Sequence, residues 1–232
     1  SRAAVRLGAG KVFALSAAAP PPCDFGCPET MWRGIAELPQ FLSASCIAIG
    51  PGLGTENIAA MRTAADCPAP LIADADALNI LAADAELAAR FARRKGASLI
   101  TPHPGEAARL LNISAREIHA DRIGAAKTLA QKYDAVAVLK GAGAVVAEPG
   151  GEWAVCAAGN PGLAQAGAGD TLLGMLAALV AQTGDAKFAA RAAVFLHSAA
   201  ADELAQNGGE IGLDLNAIPF IAAKILNREA NR

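Results

Sequence analysis

Aromatic side chains are scarce. Seven Phe, two Trp and one Tyr occur in 232 residues, too few for a base-stacking nucleic-acid platform. Charge is sparse as well. Charged residues make up 18% of the chain, the formal net charge is −2, and no basic run is longer than Arg93-Arg94-Lys95. That balance argues against an electrostatic nucleic-acid partner. The five cysteines are irregularly spaced. Cys23 and Cys27 form the only close pair, with no second pair at zinc-site distance, so buried thiols in a reducing cytosol are expected. Long apolar runs are missing too. Residues 177–181 (AALVA) fall far short of the roughly 20 residues that cross a bilayer, so no membrane partner is expected. No charged segment leads into an apolar segment and a cleavage site, which predicts a cytoplasmic protein.

What is present is alanine, about a quarter of the residues, and 53% apolar residues overall. Such a chain builds a sizeable core and packs helices closely. Short β-rich runs alternate with longer Ala-rich ones. Residues 11–15 (KVFAL), 45–49 (SCIAI), 71–74 (LIAD), 98–101 (SLIT) and 135–139 (AVAVL) read as strands. Each is a near-continuous apolar run ended by Gly, Pro or Asp, as a parallel strand buried on both faces should be. Residues 56–65 follow Thr55 as a helix cap, and residues 84–95 are acidic at the start and basic at the end, as the helix dipole favours. Ser114 and Glu117 form a capping box that opens a helix running to Lys132. Residues 145–147 and 153–156 flank a Pro-Gly-Gly turn and read as a hairpin, and residues 170–228 read as helical with breaks near Gly184 and Gly208-Gly209. The alternation implies an α/β domain spanning residues 1–232, with a mostly parallel sheet covered by helices. Residues 1–7 read as a helix placed before the first strand, so an N-terminal strand is expected to be missing.

In open parallel sheets, ligands sit beyond the carboxyl ends of the strands, and the motifs of interest fall there. Asn160-Pro-Gly-Leu-Ala-Gln-Ala-Gly167-Ala-Gly169-Asp170-Thr171 runs a small-residue loop into a long apolar helix. Its backbone N–H groups could converge on an anion at the helix start, with Asp170 as a base beside it; alternatively Asp170 is a plain helix cap. Lys140-Gly141-Ala142-Gly143-Ala144 could bind phosphate or the edge of a nucleotide, or form a tight turn between strands. In Thr101-Pro-His103-Pro104-Gly-Glu106, two prolines fix the backbone around His103, which is a ligand contact or a structural histidine. Glu106 is explained equally by capping. Gly50-Pro-Gly52-Leu-Gly54-Thr55 offers either turn chemistry or an anion site. Asp74 and Asp76 could hold water or a metal, or cap the next helix.

In this order, GPGLGT, LIADADALN, TPHPGEAARLL, AVLKGAGAVVAEPGG and GNPGLAQAGAGDTLLGMLAAL resemble the ADP-dependent NAD(P)H-hydrate dehydratases. The resemblance runs from Ser1 to the last helix and implies a ribokinase-like, three-layer α/β/α sandwich. It implies an enzyme that dehydrates the S epimer of NADHX or NADPHX to NADH or NADPH, consuming ADP and releasing AMP and phosphate. Asp170 matches the family's catalytic aspartate and also touches the substrate. Gly169 lines the AMP moiety. Lys140, Gly141, Ala142, Gly143 and Ala144 match the AMP-binding segment, with Ala144 where Thr is common. His103 and Gly54 match contacts to the hydrated cofactor. Mg²⁺ is expected, held largely by phosphates and waters, with no direct protein ligand assigned. Glu106 falls where related kinases organise magnesium through water. Relatives usually begin with a further strand and a Gly-rich loop that supplies one substrate contact. The family's habits imply a homo-oligomer, with a tetramer expected. The alternatives are a ribokinase-like kinase for a vitamin precursor or sugar, and a catalytically silent nucleotide-binding protein.

Overall fold

The structure is a computed structural model that describes residues 1–230. It begins with a short helix, α1 (Arg2–Arg6), and a strand, β1 (Val12–Ser16). β1 pairs in parallel with β2 (Thr30–Gly34), and the two form a small sheet of their own. This corrects two expectations: residues 11–15 do not join the main sheet, and residues 30–34 were not read as a strand. The physical reason lies in burial. β1 is only half-buried along its length. Its Phe13 ring packs on Phe41, from the 3-10 helix Ile35–Phe41, with centroids 4.6 Å apart.

The main sheet is then laid down strand by strand. β3 (Ile47–Ile49), α2 (Ile58–Asp66), β4 (Leu71–Ala73), α3 (Asp76–Ala83), α4 (Ala85–Ala92) and β5 (Ser98–Ile100) follow in turn. Next come α5 (Pro104–Leu111), α6 (Ala115–Ala120), α7 (Arg122–Tyr133) and β6 (Val136–Leu139). The hairpin β7 (Val145–Ala147) and β8 (Trp153–Val155) closes the sheet in the order β3-β4-β5-β6-β7-β8. The first four strands are parallel and the last two pairings antiparallel. The last helices are α8 (Ala168–Thr183), α9 (Ala186–Gly208) and α10 (Ile218–Ala230).

The strand order steps one way from β3 to β6. Right-handed crossovers then put every intervening helix on the same face. The core shows this directly. Leu71, Ala73, Ile100, Ala137 and Leu139 pack with α2 to α7. Their strand neighbours Ile72, Leu99, Val136 and Val138 point the other way and pack with α1, α8, α9 and α10. The result is the expected three-layer α/β/α sandwich. The strands β4, β5 and β6 are buried at every position, whereas Ala48 in β3 is exposed because β3 is an edge strand.

Two helix boundaries also differ from expectation. The cap of α2 is Asn57 rather than Thr55. The helix opened by Ser114 is two helices. Asp121 leaves helical geometry and uses its side chain to accept from Gly124 N–H at 2.7 Å, which starts α7. Of the cysteines, Cys27 and Cys67 are buried, while Cys23, Cys46 and Cys156 are half-buried, and all five are free. No helix among the described residues is long and apolar enough to cross a membrane.

Candidate active site at the carboxyl edge of the sheet

Because β3 to β6 run parallel, the residues that follow them gather along one edge. Asp74 follows β4, His103 and Glu106 follow β5, and Lys140 follows β6. Lys140 Nζ lies 2.6 Å from Asp74 Oδ1 and 3.9 Å from Glu106 Oε2. Both carboxylates are buried. A buried carboxylate is tolerated when it is paired and hydrogen-bonded, and Asp74 Oδ1 also accepts from Ala75 N–H at 2.9 Å. Ala75 holds a positive φ of 47°, a strained conformation for a residue with a side chain. Gly50 approaches so closely that a Cβ there would collide with the Asp74 carbonyl oxygen, which explains the first glycine of GPGLG.

Helix α8 supplies the opposite wall. Gly167 caps it in the left-handed region, with φ 91°, and Thr171 N–H donates to Gly167 O at 2.9 Å. The N–H groups of Gly169 and Asp170 have no acceptor among the described residues. They are the free donors of a helix start, where the dipole favours negative charge. A Cβ added at Gly169 would sit 3.4 Å from Lys140 Nζ. The ammonium therefore faces the helix mouth. Asp170 is exposed in the same first turn.

The KGAG turn is the third wall. Gly141 and Gly143 take φ of 126° and 63°, which only glycine adopts freely. The guanidinium of Arg122 donates to the carbonyls of Leu139, Lys140 and Gly143, each at 3.3 Å. Burial lowers the pKa of that guanidinium from its ordinary value. With the carbonyls held, the N–H groups of Gly141, Ala142 and Gly143 are left without an acceptor among the described residues. Ala144 is half-buried at the base of the turn, and its carbonyl accepts from Cys156 N–H.

His103 has a structural duty. Its Nδ1 accepts from Gly105 N–H at 3.0 Å and Glu106 N–H at 3.4 Å, which caps α5. Glu106 Oε2 answers by accepting from His103 N–H at 2.7 Å. Only Nε2 remains for a ligand, 3.5 Å from Glu106 Oε1 on a half-exposed ring. Gly54 is similarly committed, since its N–H donates to Asp76 Oδ2 at 2.9 Å. The anion-site reading of GPGLG therefore loses that donor, and Asp76 acts as the anchor of the loop.

Thus Asp170, Gly169, Lys140 and the turn at residues 141–144 come together, His103 joins through Glu106, and Gly54 is bonded to Asp76, two residues beyond Asp74, without a direct contact to the cluster. Two supporting residues had no role from sequence, Arg122 and Asp202, and neither did His197, which stands on the same helix as Asp202. Asp202 accepts from Gly159 N–H at 2.8 Å and from Asn160 Nδ2 at 2.9 Å. His197 is buried, its Nε2 has no hydrogen-bond partner among the described residues, and burial pushes its pKa down to about 4. A His and an Asp in an otherwise Ala-rich helix were the available signal for both.

A mostly parallel sheet between two helical layers, with a glycine-opened helix mouth, a lysine and a carboxylate at its carboxyl edge, is the architecture of a ribokinase-like α/β/α protein. The sequence model described as NAD(P)H-hydrate dehydratase matches residues 1–221, and the chain belongs to that family. A bifunctional NAD(P)H-hydrate repair enzyme from Coxiella burnetii is 40% identical over 220 residues, which are 92% of this chain and 44% of that protein. The chain thus spans less than half of that relative. An ADP-dependent (S)-NAD(P)H-hydrate dehydratase from Neisseria meningitidis is 40% identical over 214 residues, covering 89% of this chain and 72% of the relative. Among solved structures, an ADP/ATP-dependent NAD(P)H-hydrate dehydratase from Bacillus subtilis, co-crystallised with ATP/Mg²⁺, superposes with a TM-score of 0.81. It is 28% identical, with 98% of this chain and 84% of that chain covered.

Proposed function

We propose that residues 1–232 form one catalytic domain that dehydrates the S epimer of NADHX or NADPHX to NADH or NADPH, consuming ADP and releasing AMP and phosphate. One observation carries this reading: the N–H groups of Gly169 and Asp170 have no acceptor among the described residues, the Lys140 ammonium lies beside Gly169, and the Asp170 carboxylate is in the same turn. That arrangement fits a phosphoryl group and a base beside it. The names of the Neisseria and Bacillus relatives support the same substrates.

The hydroxyl on the hydrated ring leaves poorly. Asp170 takes its proton, and the oxygen attacks the β-phosphorus of ADP. A P–O bond forms to the substrate, the bridging P–O bond breaks, and AMP departs. The ring carbon then releases its oxygen as phosphate and the neighbouring carbon gives up a proton, which restores the ring double bond. The water removed ends in the phosphate. The amides of residues 169 and 170 hold the transferring group, and Lys140 offsets its charge. The free N–H groups of Gly141, Ala142 and Gly143, with Ala144 beside them, line the AMP moiety. His103 Nε2 and the backbone of Gly54 line the hydrated cofactor.

Mg²⁺ fits as a phosphate-borne ion. Among the described residues no three His, Cys, Asp or Glu side chains form a metal cage. Phosphate oxygens and waters would hold it, with Glu106 reaching it through water, and it would neutralise phosphate charge. A cytoplasmic homo-oligomer, expected as a tetramer, belongs to the same proposal. The exposed Phe188 and Phe195, one heptad apart on α9, support self-association.

The test is to mix the protein with NADHX and ADP and follow the near-ultraviolet absorbance of reduced nicotinamide together with AMP release. Gain of absorbance that requires nucleotide is expected. Turnover of a nucleoside di- or triphosphate on another substrate without that gain would favour the small-molecule kinase. Nucleotide binding heat with no turnover would favour a silent binder.

A further inference from the structure

We infer that Asp202 is a positioning residue for phosphoryl transfer, acting on the helix mouth through the loop at residues 159–167. The inference rests on the dehydratase reading for its kinetic part and on geometry alone for the rest.

Asp202 stands on α9, whose Ala189, Ala190, Ala193, Leu196, Ala200 and Ala201 are buried in the core. It is therefore carried by a rigid element. Both of its carboxylate oxygens are used on one loop: Oδ2 accepts from Gly159 N–H and Oδ1 from Asn160 Nδ2. The loop is pressed against the helix there, since a Cβ at Gly159 would lie 3.4 Å from Ser198. The connection then continues without a gap. Asn160 Oδ1 accepts from Gly162 N–H at 3.0 Å. Gln165 Nε2 donates to Gly162 O at 2.8 Å and to Leu213 O at 2.9 Å. Gln165 O accepts from Ala168 N–H at 3.3 Å, and Ala168 is the first residue of α8. Every step from Asp202 to the turn that holds Gly169 and Asp170 is thus a hydrogen bond.

A carboxylate is the side chain this arrangement requires. Its partners are two donors, one backbone and one amide, and only an acceptor-only group satisfies both in one orientation. An Asn at 202 would turn its own NH₂ toward one of them. The loop would then move, and the mouth amides would lose register with Lys140. Small displacements of donors aimed at developing charge reduce turnover more than ground-state binding.

The experiment compares wild type, Asp202→Asn and the exchange Asp202→Asn with Asn160→Asp. In the exchange, the new amide donates to the new carboxylate, and all three hydrogen bonds of the pair can re-form. Asp202→Asn is expected to lower kcat at least 10-fold while KM for ADP changes less than about threefold, and the exchange to recover most of kcat. Amide hydrogen exchange at Gly159, Gly162 and Ala168 is expected to quicken in the single variant and slow again in the double. A folded Asp202→Asn protein with wild-type kcat and wild-type exchange would overturn the inference. So would an exchange pair that recovers neither. If wild type itself yields no NADH, the dehydratase reading fails, and the amide exchange alone decides whether Asp202 positions the loop.

Discussion

Lys140 and Asp74 are costly to separate. The lysine is mostly covered, and the Asp74 side chain is 2% exposed. Removing one partner leaves the other as an uncompensated buried charge. Lys140→Met is expected to destabilise the protein by about 3–5 kcal/mol in urea unfolding. Adding Asp74→Leu should return much of that stability without returning turnover. An undiminished midpoint in Lys140→Met would show that the pair carries no weight. His197 gives a second prediction. Its folded pKa of about 4 lies below the ordinary 6.5, so the unfolded chain binds the extra proton between those values. The stability from keeping this ring neutral is complete above pH 6.5 and is lost as pH falls toward 4, by about 3 kcal/mol in all. Replacing it by His197→Gln should remove that share of the slope. Unfolding profiles that stay parallel from pH 7 to pH 4 would contradict this.

At the scale of the element, the start of α8 offers a substitution whose effects on stability and activity should diverge. Gly169 has no positive φ, and its added Cβ meets only the end of the Lys140 side chain. Gly169→Ala is therefore tolerated by the fold, and lower backbone freedom in the unfolded chain favours it by up to about 1 kcal/mol. The same methyl group would stand against the Lys140 ammonium at the helix mouth, where the proposed function puts the phosphoryl group. The expected outcome is an unchanged or raised Tm with turnover reduced at least about 10-fold. Turnover equal to wild type would place the phosphoryl group elsewhere. The helix also shows how reading by element has limits. The Gly-rich approach to α8 stood out in the sequence as a small-residue loop entering a long apolar helix, although a plain cap or turn would read the same way. The break at Asp121 did not, because the apolar pattern runs on through it, and only the cap to Gly124 reveals that two helices meet there.

At the scale of the whole molecule, the sheet separates two cores. Leu110 belongs to the core on the α2 to α7 side and Leu176 to the core on the α8 side. Leu110→Ala and Leu176→Ala are each expected to cost about 2–5 kcal/mol. Lying on opposite faces, they should add to within about 0.5 kcal/mol, which a double-mutant cycle in denaturant measures. The strands β4 to β6 were legible because burial on both faces writes an unbroken apolar run. The β1–β2 pair was not, since Thr30-Met-Trp-Arg-Gly34 shows neither such a run nor strict alternation. Likewise the motifs of the site were legible one by one. The links among them were not: Lys140 and Asp74 are 66 residues apart, and Asn160 and Asp202 are 42 apart. Such pairs are made by the parallel topology and by the stacking of α9, not by local spacing.

The most direct measurement is a product count in a single turnover of NADHX with ADP, using wild type and Asp170→Asn. The account predicts one AMP and one phosphate for each NADH regained by wild type. It predicts a rate lower by about 10²–10⁴ in Asp170→Asn, with ADP still bound. NADH regained without AMP, or at full rate without the carboxylate, would contradict it.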